Sequence, residues 1–543
     1  MKKSLLGVSL FTVVGLYALL SVVIILVFMI FDLPVLWAIL LSIAILLIQF
    51  IIGPWLTDLS MKWFYKVDFK HEVPQYLDEF IKQVCQDKNM KYPKIGFIND
   101  SAPNAFTYGR TKNDARIVLT RGIYELLDED EVKAVVAHEL GHACHYDMML
   151  MTFVQIVPLI LYAVYEICLN PSGMFSKKSS SSSSSSSSDD SNYAEIVGAI
   201  AFVLYIISQY IILWLSRTRE YYADTFSIKT TKNPNALASA LVKIGFGLST
   251  KDTVSGDTLS TKATAALGIA ETKGSKALAI GAYDKDGNVS KESIKRAMQW
   301  DLFNTWAKFY EIHSTHPLIS KRVLAISKIS KRYDQEPFIV FDLKKPKSYA
   351  PKFFKELLIM ILPTLLLIAT IITGIVVIEH MLTIFGVGGV IAMLASLFKH
   401  RYSHKTKAFK PSTVESLVGN IDVSNIKTIP CTISGKIIGR GNPGCIFNED
   451  FVIQDDTGIM LLNYSQPLIT INKFFALFKS KKYFDKYVKV RGWYKRAPVP
   501  FIEVLTIEID GKIKKCHTVR TGYILRFIAL GVFTALAILA PFL

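Results

Sequence analysis

The chain is poor in cysteine, with only Cys85, Cys144, Cys168, Cys431, Cys445 and Cys516 among 543 residues. None stands in a Cys-x-x-Cys pair, so neither a disulfide scaffold nor a cysteine zinc site is indicated. Such sparse cysteine fits domains held in a reducing compartment. No small-residue cleavage site follows the first apolar run, Leu5 to Phe31, which is too long for a signal-peptide core. The loop GRGNPG, Gly439 to Gly444, lacks the Lys-Ser/Thr end of a phosphate loop and reads as turn chemistry. YDKDGN, Tyr283 to Asn288, lacks the spacing and terminal glutamate of a calcium loop and reads as an exposed turn.

Apolar residues are abundant: they make up 51% of the chain. They gather in runs long enough to cross a ~30 Å hydrocarbon core. The runs are Leu5 to Phe31, Val35 to Leu56, Met149 to Cys168, Ala194 to Leu215, Leu357 to Ile378, Met381 to Phe398 and Phe527 to Leu543. Seven membrane spans are therefore expected. The net charge of +17 is read as basic residues flanking these spans. Lys2, Lys3, Lys62, Lys66, Lys70, Arg217, Arg219, Lys352, Lys355, Lys399, Arg401 and Lys405 all fall on one side if the spans alternate. That side is expected to be the cytoplasm of a multi-pass cell-membrane protein. The serine tract from Ser179 then lies in an external linker, since serine cannot bury a core.

The expected organisation is a membrane hairpin at 1–56, a cytoplasmic part at 57–147, and a second hairpin at 148–215. A second cytoplasmic part follows at 216–352, then a third hairpin at 353–398. A cytoplasmic β domain at 399–518 and a last membrane segment at 519–543 complete the chain. Residues 250–300, rich in Thr, Ser, Ala and Lys, read as a lid or insertion over the site.

The chemistry is carried by EDEVKAVVAHELGHACHYDMML, residues 129–150. Asp128 and Glu131 have the spacing of a capping box, which starts a helix there. At ~100° per residue, His138 and His142 share one face, one turn apart. Both imidazoles can reach a single zinc ion, and Glu139 lies beside them as a general base for water. Such a motif also occurs by chance, so a third ligand is required. LSRTREYYADTFSIK, Leu215 to Lys229, supplies the best candidate, Glu220. Asp224, one turn on, would accept a hydrogen bond from a ligand histidine. The competing reading has these acids facing water or pairing with Arg217 and Arg219.

HELGH, a membrane hairpin and then SRTREYYAD resemble the HtpX-type integral-membrane zinc metalloproteases, relatives of the type I CAAX prenyl proteases. PNAFTYG (Pro103 to Gly109) and STHPLISKR (Ser314 to Arg322) resemble two further elements of that family, so the likeness runs over roughly residues 70–325. The resemblance implies a mainly helical, zincin-like protease domain with one zinc per chain on His138, His142 and Glu220. It implies Glu139 as general base and acid, and His316 at the oxyanion with Arg322 near it. Asn104, Ala105 and Phe106 would lie along the substrate as an edge strand. His145 is read as an outer neighbour of the ligands, and His313, His400 and His404 as non-catalytic.

The segment 411–518 alternates in short β runs, with DDTG (Asp455 to Gly458) as a hairpin turn. It is expected to form a small, OB-like β-barrel. Arg491, Trp493, Tyr494 and Arg496 could serve a single strand of nucleic acid. A protein-interaction or lid module facing anionic lipid is the preferred reading, with nucleic acid not expected. The function expected is hydrolysis of peptide bonds in membrane or membrane-associated polypeptides, in quality control by resemblance. The rivals are a processing protease of CAAX type and a membrane scaffold with a dormant zinc site.

Overall fold

The structure is a computed structural model. It describes residues 15, 16, 18–20, 23, 48, 51, 52, 55–63, 65–101, 103–169, 188–250, 291–341, 348–406, 408–440, 450–464, 466, 467, 480–497 and 499–542. Most of the first two apolar runs, the serine tract, YDKDGN and most of GRGNPG lie outside these residues. Contacts divide the chain into two compact units, one of residues 1–244, 257–271 and 311–338, the other of 245–256, 272–310 and 339–543.

In the first unit, β1 (Lys94–Ile98), β2 (Ala105–Gly109) and β3 (Ala115–Thr120) form a sheet in the order β1-β3-β2. β2 is antiparallel to β3 and is left at an edge, with Phe106 opposite Val118 and Thr107 opposite Ile117. Helix α1 (Gln75–Asp87) and the motif helix α2 (Glu129–Cys144) follow the same chain. α2 starts as its sequence predicts: the Asp128 carboxylate accepts from the Glu131 N–H, and the Glu131 carboxylate accepts from the Asp128 N–H. Ser239 and Lys243 also bind Glu131. Val132, Val135, Val136, Ala137, Leu140 and Ala143 are all buried, so α2 is enclosed on every side rather than amphipathic.

α3 (Asp147–Leu169) and α4 (Ser188–Thr231) are long and apolar enough to cross a membrane. Leu16, Leu20 and Val23, spaced as one helix face, pack with Val154, Val157, Leu161, Ala201 and Leu215. α4 does not end where its apolar stretch ends. It runs on unbroken through Glu220 and Asp224 beside α2. Gly141 permits the close approach, because a Cβ there would lie 3.1 Å from Phe226 Cβ, and Ser227 Oγ donates to Ala134 O at 2.6 Å. α5 (Ile319–Ser330) completes the unit.

In the second unit, α6 (Ala350–Val376), α7 (Met381–Ser403) and α8 (Thr518–Leu539) bring the membrane-crossing candidates among the described residues to five. α8 begins nine residues before the expected Phe527, which makes the last span full-length. The helices meet through glycine: a Cβ at Gly386 would overlap the Ala537 backbone, and one at Gly389 the Phe533 ring.

The β runs are β4 (Ile429–Arg440), β5 (Phe451–Asp455), β6 (Gly458–Asn463), β7 (Tyr487–Arg496) and β8 (Pro500–Ile509). They close as β4-β5-β6-β8-β7-β4, with β6 and β8 parallel, so the small barrel expected has five strands. Asp455 forms the turn at DDTG by accepting from Thr457 N and Gly458 N. Trp493, Tyr494 and Arg496 are buried in the barrel unit. They form no exposed stacking surface for nucleic acid. Arg496 donates to Val418 O and Ala297 O and lies over Trp300. The helix Lys291–Phe303, read from sequence as part of a lid, packs here, with Trp300 Nε1 donating to Val423 O. Buried Glu356 on α6 accepts from Trp306, Tyr349 and Ser424.

Glu503 on β8 bonds His404 Nε2 at 3.0 Å and pairs with Lys495. Burial opposes ionisation, but these two partners outweigh it and hold the carboxyl at about 2. A depressed carboxyl contributes stability that is present above its ordinary pKa near 4.5 and lost as pH falls toward 2. Glu503→Gln is therefore expected to flatten unfolding stability between pH 4.5 and 2, by on the order of 2–3 kcal/mol. Denaturant titrations of the detergent-solubilised chain across that range check it, and an unchanged pH slope would refute it.

Candidate active site

His138 and His142 project from one face of α2 toward Glu220 on α4. Their Nε2 atoms lie 3.2 Å apart. Glu220 Oε2 is 3.5 Å from His138 Nε2, and Oε1 is 3.6 Å from His142 Nε2. Tetrahedral ligands at ~2.0–2.1 Å from a zinc ion stand roughly 3.3 Å from one another. Glu220 Oε2 is also buried, facing His138 Nε2, His316 Nδ1 and Arg322 Nη1 at 3.5, 3.3 and 3.2 Å. Burial opposes protonation of His138, yet its bonds to Asp224 and Glu220 hold it up to about 9. The donor set thus fits a divalent cation, and these three residues form the one such group among those described.

Each imidazole has its other nitrogen fixed by a carboxylate. His138 Nδ1 lies 3.1 Å from Asp224 Oδ1, and His142 Nδ1 lies 2.7 Å from Asp147 Oδ2. Arg322 is fully buried and grips Asp224 through two nitrogens, at 2.6 and 2.9 Å. Its third nitrogen lies 3.2 Å from Glu220. Burial works against the guanidinium's charge, but Asp224 and Glu220 raise its pKa further still. Arg322 therefore positions carboxylates, and its described contacts run to the site's own residues. Arg217 and Arg219 do not take the two acids, contrary to the competing reading. Arg217 donates to the carbonyls of Glu311, Ile312 and Ser314, and Arg219 to that of Asp147.

The carbonyls held by Arg217 belong to the turn that presents His316. That turn is closed by Ser314 Oγ donating to His316 O at 2.8 Å. His316 Nδ1 comes within 3.3 Å of Glu220 Oε2. Glu139 is buried beside His138. Asn104, Ala105 and Phe106 sit along the edge strand, but their side chains are buried. Phe106 packs with Met61, Val67, Ile98 and Val118, so it serves the core and leaves only the strand's backbone to a substrate. His145 stacks edge-on against Phe226 and Tyr222, and burial lowers its pKa.

Two residues of the site are absent from the sequence reading. Asp147 gave only the signal of an acid at the border of an apolar run. Thr107 gave the signal of a polar residue in an otherwise apolar strand. Thr107 Oγ1 donates to Glu139 Oε2 at 2.8 Å and so fixes the carboxylate.

A two-histidine, one-glutamate centre with an adjacent carboxylate, its glutamate on a helix continuous with a membrane-span candidate, defines a multi-pass membrane metalloprotease. The family model for peptidase family M48 matches residues 72–330. The protease HtpX homolog of Methanothermobacter thermautotrophicus is 38% identical over 210 residues, which are 39% of this chain and 73% of that protein. The homolog from Methanocaldococcus jannaschii is 30% identical over 213 residues, 38% of this chain and 72% of that one. The crystal structure of S. mikatae Ste24p aligns with a TM-score of 0.32 at 19% identity, over 57% of this chain and 62% of that one. The chain belongs to peptidase family M48, among the HtpX-type metalloproteases.

Asp147→Asn is expected to weaken metal binding about 10–100-fold, as loss of a ligand's orienting carboxylate does elsewhere. Competition with a metallochromic chelator measures it, and an unchanged affinity would show that Asp147 does not orient His142. Thr107→Val is expected to lower kcat about tenfold with KM and metal content unchanged, and Thr107→Ser to restore it. Equal loss in both variants would remove the hydroxyl from the argument.

Proposed function

We propose that this protein is a zinc endopeptidase that cleaves membrane or membrane-associated polypeptides on the cytoplasmic side, in protein quality control. His138, His142 and Glu220 would hold the zinc, which when bound would supply Lewis acidity toward the scissile carbonyl. The observation that carries the reading is a cluster of ligand atoms, with His138 Nε2 and His142 Nε2 3.2 Å apart and each within 3.5–3.6 Å of an oxygen of the buried Glu220 carboxylate.

In this reading the substrate backbone pairs with the free edge of β2. Glu139, steadied by Thr107, takes a proton from the attacking water and returns it to the leaving amine. His316, held in its turn by Ser314, faces the developing oxyanion, a role typically worth ~3–4 kcal/mol per donor. Asp224 and Asp147 keep the imidazoles in the tautomer that presents Nε2. Arg322 holds Asp224 and Glu220 in register. The basic residues flanking the spans support a cytoplasmic site. The continuity of α4 supports substrates of the membrane, because it puts the centre within a few helical turns of an apolar span. The domain boundaries read from sequence belong to the same proposal.

Glu139→Gln is expected to retain metal and lose at least a hundredfold in cleavage of casein or a model membrane protein, while Glu220→Ala loses the metal itself. Equal cleavage by wild type and Glu139→Gln would remove Glu139 as the base. Full metal occupancy in Glu220→Ala would overturn the ligand set.

A further inference from the structure

A second candidate site lies at the β1 edge of the sheet, the edge opposite β2. Helical residues 55–63 continue the second apolar run out of the membrane. Met61 anchors them by packing with Val67, Ile98 and Phe106. Between this helix and the β1 edge lies a cleft of about 760 Å³, within the ~300–1,000 Å³ range of ligand sites. Trp55, Leu59, Phe69, Val73 and Ile95 line it with apolar surface. Lys62 and Lys94 also line it, and neither makes an ion pair among the described residues. Asp58, the acid in the lining, is already engaged by Arg116 through bonds of 3.0 and 2.9 Å. Its charge therefore does not oppose an anion at the two lysines.

The cleft does not belong to the peptidase site. β1 and β2 occupy opposite edges of the sheet, and the strand that touches Glu139 is β2. Trp55 and Trp63 are 63% and 68% exposed, as tryptophans are where a span meets the headgroups. An apolar slot with two uncommitted lysines at that level matches one kind of molecule: an acyl chain carrying an anionic phosphate head. We infer that this cleft binds an anionic phospholipid of the surrounding bilayer, with its acyl chain against Leu59 and Phe69 and its phosphate between Lys62 and Lys94. The inference is independent of the assigned metal ligands and base.

The test uses the full chain in phosphatidylcholine nanodiscs doped with phosphatidylglycerol bearing an acyl-chain diazirine, and peptide mapping after photolysis. Labelling is expected at residues 55–62, 69–73 and 92–95, several-fold above that from the matching phosphatidylcholine probe. Lys62→Glu with Lys94→Glu should abolish that preference, and Leu59→Trp should block labelling by both probes. Metal content reports that each variant is folded. Should Leu59→Trp fail to fold, Lys62→Ala with Lys94→Ala supplies the deciding comparison, with loss of preference expected. Equal labelling by the two lipids in wild type would overturn the inference. So would a preference that survives charge reversal or removal. Displacement by millimolar inorganic phosphate would assign the lysines to a free anion and overturn it too.

Discussion

The site depends on one constraint: buried carboxylates must be compensated, because an unpaired buried charge costs far more than any contact it makes. Glu220, Asp224, Asp147 and Glu139 are each at most 3% exposed. Two guanidiniums, Arg322 and Arg219, answer them. With neutral imidazoles, four negative charges meet two positive ones, and the shortfall is the charge of one divalent cation. A divalent cation held by His138, His142 and Glu220 would compensate that charge. Arg322 makes the arrangement rigid. It ties Glu220 and Asp224, one turn apart on α4, to α5, so that neither carboxylate is free to leave the cluster.

Much of this was legible because it is local. A capping box, a one-turn histidine spacing and an acidic pair one turn apart are all set by helical geometry within a few residues. The DDTG turn and the alternating runs of the barrel are legible for the same reason. What was not legible is long-range. Thr107 meets Glu139 across 32 positions, and no periodicity encodes that contact. Asp147 lies only five positions from His142, yet its role arises because the chain leaves α2 through a left-handed Tyr146 and turns back under the ring. A sequence shows the acid but not the turn.

Residue types also misled where chemistry and burial part. Phe106 sits in a substrate-strand motif, but strand alternation sends its side chain into the core. Trp493, Tyr494 and Arg496 look like a nucleic-acid surface by composition. In the folded barrel unit Arg496 is instead a buried hub that satisfies two carbonyls and covers Trp300. An arginine with five donors can tie the Ala297 carbonyl of the helix Lys291–Phe303 to the Val418 carbonyl that ends the helix Val414–Val418. Its burial there, 0% exposed and bonded to two carbonyls, implies a structural role.

The membrane and the chemistry are joined by a single rigid element. α4 is 44 residues long and carries apolar residues, then Arg217 and Arg219, then Glu220 and Asp224, without a break. A helix interrupted at the membrane surface would leave orphan carbonyls there and let the third ligand swing relative to α2. Continuity removes both problems and places Glu220 at a fixed rise from the last membrane-buried turn. Arg217 uses the same helix to hold the turn that presents His316. One helix therefore sets the positions of the proposed ligand Glu220, the carboxylate behind His138 and the turn at His316. Its axis is in turn set by packing against α3 and the first apolar run. Metal geometry in this protein is thereby subordinate to the packing of its membrane helices.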